Sequence, residues 1–239
     1  QVLISCSDDD EEKEFDLIHH LHARRIDSLI IASVMKKDRI AKEILSLNIP
    51  VVYIDRRLES EKISWVSSDN YQGSFDLINH VCGKGKKKIA FLGGLENIST
   101  SKNRLLGYRN AIKEHDIDFD PGLVYQKDFT ILSGYELAKE LFEKDKQEVD
   151  GVYTSSLTLL EGCLKYLRHA NLLNNQQIML ATYDDHPFLD YLSIRIPSIR
   201  QDTHTLAKRA IQMINEMHEG KKVIKHEVVK PLLITREED

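Results

Sequence analysis

The stretch that decides the fold is residues 87–115, KKIAFLGGLENISTSKNRLLGYRNAIKEH. It opens on Ile89-Ala90-Phe91-Leu92, a short run that is apolar on both faces, as the strands of a parallel sheet covered by helices are. Gly93-Gly94 ends this run, and a polar loop is expected from Glu96 to Ser101. Residues 102–115 then have the apolar period of an amphipathic helix. The stretch therefore predicts one strand–loop–helix unit.

The same alternation of strand and helix continues along the chain. Apolar runs predict strands at residues 29–31, 51–54, 151–153 and 178–181, and two more that end at Ile4 and at Ile199. Helical periodicity appears at residues 14–24, 39–47, 70–81, 133–143, 156–170 and 203–219. Repeated strand–helix–strand order implies βαβ units and an open, doubly wound parallel sheet. The predicted fold class is α/β.

Composition, charge and cysteine content limit the classes of protein to which this chain can belong. The chain has 239 residues, which suits one large domain or two small ones, and its 41% hydrophobic and 30% charged residues suit a soluble globular protein. Its formal charge of −5 argues against this segment gripping nucleic acid by itself. Cys6, Cys82 and Cys163 are odd in number and far apart, which favours a reduced, cytoplasmic setting. No apolar run reaches the roughly 18 residues of a membrane helix. The chain begins with Gln1 and carries no signal peptide, so we expect further residues upstream.

Ligands of open parallel sheets bind beyond the carboxyl ends of the strands. The residues that follow the predicted strands are mainly carboxylates, guanidinium groups, hydroxyls and amides: Asp55, Arg56, Arg57; Ser99, Thr100, Ser101, Arg104; Thr154, Ser155, Ser156; Asp184, Asp185; Arg200, Gln201, Asp202. One carboxylate can accept from two neighbouring sugar hydroxyls, and arginine forks suit phosphate or carboxylate oxygens. The pattern indicates a recognition site.

Structural roles compete with binding at several of these positions. Asp55 can cap the structure that follows its strand, and Asp184-Asp185 can start a helix before Pro187. The run Thr154–Ser156 is of a kind that supplies helix N-caps more often than ligands. His19 and His22 share a helical face, but a solvated face is favoured there over a metal site.

The signatures of common enzymes are missing. The sequence has no GxGxxG, GxxxxGK[ST], GxSxG or HExxH. We therefore predict no catalytic residues, no cofactor and no metal, and expect that the protein is not an enzyme.

Seven segments, in this order and spacing, resemble the effector-binding core of the lactose-repressor family: residues 26–31, 49–56, 68–73, 87–94, 103–108, 182–185 and 197–202. Within that family the sequence is most similar to the fructose-repressor (catabolite repressor/activator) branch, with sucrose-operon repressors nearby. Cys6-Ser7-Asp8-Asp9, Asp55-Arg56-Arg57 and Ala181-Thr182-Tyr183-Asp184-Asp185 carry this closer match. Ser155-Ser156 stands where the wider family usually has an Asn-Asp pair, which also favours that branch.

The resemblance implies two Rossmann-like subdomains of the periplasmic-binding-protein-like type I, with parallel sheets flanked by helices, three crossovers and the ligand in the cleft. The first subdomain would comprise residues 1–69 plus 202–222, and the second residues 70–201 plus 223–239. The family's DNA-binding helix-turn-helix and first βα unit are not in this sequence.

Carried over position by position, the resemblance implies a pocket that includes Asp55, Thr100, Arg104, Phe129 and Asp184. Arg104 would clamp an anionic or hydroxyl-rich group, so Arg104→Ala is expected to abolish binding and leave the fold intact. Asp184 would accept from sugar hydroxyls, and Phe129 would stack on a ring, with plain core packing as its alternative.

Three more residues complete the predicted ligand-binding set. Arg56 stands where some relatives carry an aromatic wall, and an added cation there favours a phosphorylated sugar. Ser156 and Gln201 join the set as polar residues at strand ends.

By resemblance, the chain is expected to be the effector core of a bacterial transcription regulator, a repressor that senses a sugar or sugar phosphate such as fructose 1-phosphate or fructose 1,6-bisphosphate. Operator DNA would bind through an N-terminal domain outside this sequence, and the protein would form a homodimer or homotetramer without contact to membranes. The alternative is a periplasmic sugar-binding protein of a transporter. A third option, a sugar-modifying enzyme, lacks a nucleophile–base arrangement.

Overall fold

A computed structural model describes residues 1–34, 39–57, 62–146, 148–173, 177–221 and 224–236. The chain forms two compact units, Gln1–Ser68 with Asp202–Val229 and Asp69–Gln201 with Lys230–Asp239. The backbone therefore passes from one unit to the other three times, as the family resemblance predicts. None of the described helices is both long and apolar enough to span a bilayer.

The first unit has a four-stranded sheet. Its elements are α1 (Glu11–Ala23), β1 (Leu29–Ile31), α2 (Arg39–Ser46), β2 (Val51–Ile54), β3 (Ser64–Ser68), α7 (Thr203–His218) and β9 (His226–Val229). The strand order is β1-β2-β3-β9, and every pairing is parallel. Ile18 of α1 and Ile44 of α2 pack with Tyr53 on one face, whereas Leu206 of α7 packs with Val52 on the other.

The second unit has a six-stranded sheet. Its elements are α3 (Asn70–Gly83), β4 (Ile89–Gly93), α4 (Ser99–Glu114), β5 (Val124–Gln126), α5 (Ile131–Lys139) with a π-helical extension (Glu140–Lys144), β6 (Gly151–Thr154), α6 (Leu157–His169), β7 (Met179–Tyr183), β8 (Ser198–Arg200) and β10 (Leu232–Ile234). The order is β10-β8-β7-β6-β4-β5, and only β10 runs antiparallel to its neighbour.

Alternation along the strands of the second unit covers both faces of its sheet. Ala90 and Leu92 of β4 pack in the cluster that contains α5 and α6 residues, and Ile89 and Phe91 pack in the cluster of α3 and α4. Successive strand side chains point to opposite faces, so helices cover both. This confirms the doubly wound α/β fold.

The close packing of α5 against α6 depends on two glycines. A Cβ at Gly162 of α6 would lie 2.1 Å from the carbonyl oxygen of Ile131, and one at Gly134 of α5 would lie 2.3 Å from the carbonyl oxygen of Leu159. Only glycine leaves room for backbones this close.

Three local predictions were wrong. The strand expected to end at Ile4 is absent: Val2 and Ile4 are 84% and 92% exposed, and no described strand pairs with them. Helix α4 begins at Ser99, inside the stretch expected to be a loop. The predicted subdomain boundary at residues 222–223 lies outside the described residues. The predicted second subdomain includes residues 223–239, but His226–Val229 (β9) belongs to the first unit, because β9 pairs in parallel with Trp65–Ser68 of β3.

Candidate functional site

The predicted ligand residues fall in both units. Asp55 and Arg56 follow β2 in the first unit, and the other six belong to the second: Thr100, Arg104, Phe129, Ser156, Asp184 and Gln201. Contacts within the second unit join Arg104 to Asp184 and Asp184 to Gln201. This trio at the carboxyl end of the parallel sheet is the centre of the candidate site.

Arg104 is a buried cation held from two sides. Its side chain is 4% exposed. Its Nε donates to Asn70 Oδ1 at 2.7 Å, and its Nη1 donates to the carbonyl oxygen of Ser155 at 2.6 Å. Gly107, one turn along α4, allows the approach to α3, because a Cβ there would lie 2.3 Å from the carbonyl oxygen of Tyr71. Close packing of α3 on α4 thereby brings Asn70 to the guanidinium.

The end of β7 supplies an aromatic face and a carboxylate to the same cation. Arg104 Cζ lies 3.7 Å from the centre of the Tyr183 ring, a cation–π contact, and Nη1 lies 3.8 Å from Asp184 Oδ2. A buried charge is tolerated only where such partners compensate its lost hydration. The expectation that Arg104→Ala leaves the fold intact is therefore revised: truncation would remove a charge that Asn70, Ser155 and Asp184 surround.

Asp184 is the accessible carboxylate of the site. Its backbone is in the left-handed region, with φ of 73°, which non-glycine residues seldom adopt and which recurs at functional sites. Gln201 Nε2 donates to Oδ1 at 2.6 Å, and the side chain remains 31% exposed. An ionised carboxylate has about four acceptor positions. Asp184 thus keeps capacity to accept from ligand hydroxyls while Gln201 and Arg104 fix its orientation.

Asp185 has a structural role. Its side chain is 3% exposed, accepts from Ser198 Oγ at 2.6 Å and Arg200 Nε at 2.8 Å, and pairs with Arg236. Burial alone would raise the pKa of this carboxyl group, but the hydrogen bonds outweigh burial and lower the pKa from 3.8 to about 2. Asp185 therefore ties β8 and the C-terminal segment to the loop that carries Asp184.

The first turn of α4 places two buried hydroxyl-bearing residues, Thr100 and Ser101, at the same edge of the sheet. Thr100 is 2% exposed and precedes Arg104 by one helical turn. The N-cap residue, Ile98, makes no side-chain capping bond, and Ser101 Oγ is buried without a hydrogen-bond partner in the described part of the chain. A helix N-terminus favours an anion because its N–H groups point outward and its dipole is positive there.

Phe129 lies over the glycine turn after β4. A Cβ at Gly94 would lie 2.1 Å from Phe129 Cζ, so the ring occupies the space that a side chain would fill. The Phe129 carbonyl accepts from Thr158 Oγ1 at 2.7 Å, and Asp128 accepts from Thr130 N at 3.1 Å. The ring is partly buried against the core. Core packing, the alternative role, accounts for its buried part, and stacking on a ligand ring remains a prediction for the rest.

Ser156 serves as the N-cap of α6. Its Oγ accepts from the Leu159 N–H at 3.2 Å, and its side chain also contacts Thr158 Oγ1 at 3.0 Å. The capping role that competes with binding is thus the one observed, and a ligand contact by Ser156 remains a prediction.

In the first unit, Arg56 is already paired. Its Nη1 donates to Asp9 Oδ1 at 2.6 Å. This weakens the inference that Arg56 adds an uncompensated cation for a phosphate. Asp55, next to it, has a φ of 60° at the end of β2, the conformation that Asp184 adopts at the end of β7.

Sequence reasoning missed three residues that hold the site together. Asp69 is the N-cap of α3 and accepts from Gln72 N at 2.9 Å, which leaves the side-chain oxygen of Asn70 to accept from Arg104. Tyr183 and the Ser155 carbonyl were also absent from the predicted set. The sequence signal for Asn70 was its position directly after Asp69, at the expected start of a helix.

The chemistry of the site suits recognition of a polar ligand. It combines a fixed cation, an accessible carboxylate, an amide and hydroxyl groups. Within the described ranges, no three His, Cys, Asp or Glu side chains lie close enough to hold a metal ion.

Comparison with known proteins gives close relatives. The periplasmic binding protein-like domain family matches residues 78–237. A sucrose operon repressor from Klebsiella pneumoniae is 31% identical over 92% of this chain and 65% of its own length. A fructose operon regulatory protein from Vibrio cholerae is 32% identical over 89% of this chain and 64% of its own length. The chain thus spans slightly less than two thirds of these relatives, which are regulators rather than enzymes.

A solved structure agrees over the whole chain. The Cra transcriptional dual regulator from Pseudomonas putida, in complex with fructose 1-phosphate, superposes with a TM-score of 0.91 at 26% identity and covers 100% of this chain and 88% of that one. The family match, the relatives and this likeness confirm the resemblance drawn from the sequence. The chain belongs to the periplasmic binding protein-like family.

Proposed function

We propose that this chain is the effector-binding core of a transcription regulator and that the second unit binds a sugar phosphate of the fructose 1-phosphate or fructose 1,6-bisphosphate type. The observation that carries the proposal is the Arg104–Asp184–Gln201 trio, in which a buried cation and an amide orient a partly exposed carboxylate. Such a carboxylate favours ligands with adjacent hydroxyls, because a ligand without these hydroxyls leaves the carboxylate oxygens without hydrogen-bond donors.

The anionic end of the ligand would lie at the first turn of α4. Thr100 and the buried Ser101 hydroxyl supply donors there, the helix N-terminus favours negative charge, and Arg104 adds a positive charge one turn later. The fructose 1-phosphate held by the Pseudomonas putida regulator has this combination of hydroxyls and phosphate.

The relatives support a proposal for the rest of the regulator. We propose that operator DNA binds to an N-terminal domain outside this sequence, that the protein works in the cytoplasm as a homodimer or homotetramer, and that Asp55, Arg56, Phe129 and Ser156 also contribute to effector binding. Effector binding would favour one conformation over another, and couplings of about 1–3 kcal/mol are typical of such control.

The test is calorimetric titration of the protein with fructose 1-phosphate, fructose 1,6-bisphosphate, fructose, sucrose and inorganic phosphate. We expect the phosphorylated fructoses to bind more tightly than fructose or phosphate alone. Asp184→Asn should weaken fructose 1-phosphate binding at least about tenfold, because hydrogen bonds to a charged group contribute about 1.5–3 kcal/mol. Asp116→Asn is the matched control, since Asp116 is exposed and has a φ of 55°, close to the 73° of Asp184.

Two results would contradict the proposal. One is equal affinity of Asp184→Asn and Asp116→Asn for fructose 1-phosphate. The other is binding of unphosphorylated sucrose or fructose in preference to either phosphate ester.

A further inference from the structure

The second unit contains a groove at the amino-terminal edge of its sheet, away from the strand ends that carry Asp184. The groove has a volume of about 610 Å³, within the range of roughly 300–1,000 Å³ that is common for small-molecule sites. It lies between the start of β7, the segment after α6, the joint between α3 and β4, and the loop before β8. None of the residues discussed as the sugar site lines it.

The floor of this groove is aliphatic. Leu167 and Leu180 are 2% and 5% exposed and belong to the core, and Leu173, Ile178 and Ile194 pack against the same cluster with part of their surface open. No aromatic ring lines the groove in the described part of the chain, so stacking on a sugar ring or a nucleobase has no partner there. An alkyl chain matches this surface, at about 25 cal/mol for each Å² of apolar area removed from water.

The rim is positively charged. On one side lie Lys84, the C-cap residue of α3, and Lys86, two residues further along the chain. Arg195 lies on the other side, in the loop before β8. Lys86 Nζ donates to the carbonyl oxygen of Gln177 at 2.7 Å. None of the described residues that line the groove is acidic.

We propose that this groove is a second small-ligand site and that it binds a single-chain amphipathic anion, an alkyl carboxylate whose chain lies on the aliphatic floor and whose head group meets the cationic rim. Carboxylate and guanidinium groups form charge-assisted hydrogen bonds in a geometry that suits both. Met179, at the start of β7, lines the groove, and the same strand ends at Tyr183, directly before Asp184. A ligand in the groove would therefore contact the strand that positions the sugar-site carboxylate.

The experiment is titration of the full chain with decanoate, kept below its micelle concentration, and with decanol and decyltrimethylammonium as neutral and cationic probes of equal chain length. We expect decanoate to bind at least about fivefold more tightly than either. Arg195→Glu and Lys84→Glu should each weaken decanoate binding at least about fivefold, since reversing an exposed charge changes a contact of about 1 kcal/mol.

Lys113→Glu makes the same change of charge on an exposed residue of α4 that does not line the groove. It should leave decanoate affinity unchanged. Fructose 1-phosphate affinity, measured on the wild type and on every variant, reports on the sugar site separately. If the wild type does not bind fructose 1-phosphate, the proposed function is contradicted but the proposal of a second site is not.

The proposal is overturned if decanoate does not bind the wild type, if decanol binds as tightly as decanoate, or if the three charge reversals act alike. The last two results would reduce the binding to non-specific contact with apolar surface or to net charge.

Discussion

Replacing Asp185 by asparagine should destabilise the second unit in a pH-dependent way. The pKa of this carboxyl group is about 2 in the folded protein, below its ordinary value of 3.8. Each pKa unit corresponds to about 1.36 kcal/mol, so the charged form contributes about 2 kcal/mol to the free energy of unfolding at neutral pH. Asparagine also leaves the guanidinium of Arg236, 7% exposed, beside a neutral partner, so the loss at pH 7 should be at least that large.

The sign of the pH dependence follows from the lowered pKa. The stabilisation is fully present above the unfolded-state value of 3.8 and is lost as the pH falls through the folded-state value of about 2. The difference in unfolding free energy between wild type and Asp185→Asn should therefore be constant from pH 7 to about pH 5 and shrink below pH 4.

The assay is urea unfolding followed by far-ultraviolet circular dichroism, with hydrogen exchange of peptides covering β8 and β10 as the local readout. Asp190→Asn is the matched control, because Asp190 accepts from the same Arg236 at 2.8 Å but is 61% exposed, and such pairs contribute about 0–1 kcal/mol. The reasoning is refuted if the two variants lose equal stability at pH 7, or if the loss in Asp185→Asn does not change between pH 5 and pH 2.5.

Two further predictions concern packing and thiol chemistry. Gly162→Ala should lower the free energy of unfolding in urea by about 1–3 kcal/mol or more, because the new Cβ would lie 2.1 Å from a backbone oxygen of α5. The control, Gly83→Ala, has nothing within 4 Å of the new Cβ and should be neutral or stabilising. Equal effects of the two variants would show that α5 and α6 can move apart freely. Burial raises the pKa of Cys82 to about 11 and that of Cys163 to about 12, so at pH 8 a thiol reagent should titrate only the exposed Cys6 in the folded protein and all three cysteines in urea. Rapid reaction of Cys163 in the folded state would contradict its burial.

Local patterns predicted the elements well. Apolar runs placed β1 and β2 at their observed limits, and the helices α3 and α7 begin at the expected residues because Asp69 and Asp202 cap them. These features depend on neighbours in the chain, which a sequence displays directly. The strand expected before Ile4 failed for the opposite reason: a strand exists only where another strand pairs with it, and that partner is not local.

The candidate site was predicted in part. The rule that ligands lie beyond the carboxyl ends of parallel strands selected Asp184 and Gln201, which the structure brings to 2.6 Å of each other, and the resemblance selected Arg104. The same rule selected Ser156 and Arg56. The Ser156 hydroxyl caps α6, and the Arg56 guanidinium is paired with Asp9. A strand-end position predicts where a side chain lies, but it does not predict whether another protein group already occupies the hydrogen-bonding positions of that side chain.

The order of residues by itself determined the α/β class, the family and the edge of the sheet where recognition chemistry gathers, since each follows from short-range periodicity or from segments in a fixed order. Tertiary structure alone decided the roles of the two adjacent carboxylates. Asp185 meets Ser198, Arg200 and Arg236, which are 13 to 51 residues away in the chain, and is held as a buried anion, whereas Asp184 turns to Gln201 and Arg104 and stays partly open. Successive residues at a strand end point in different directions, so neighbours of identical chemistry acquire different partners only when distant segments pack around them.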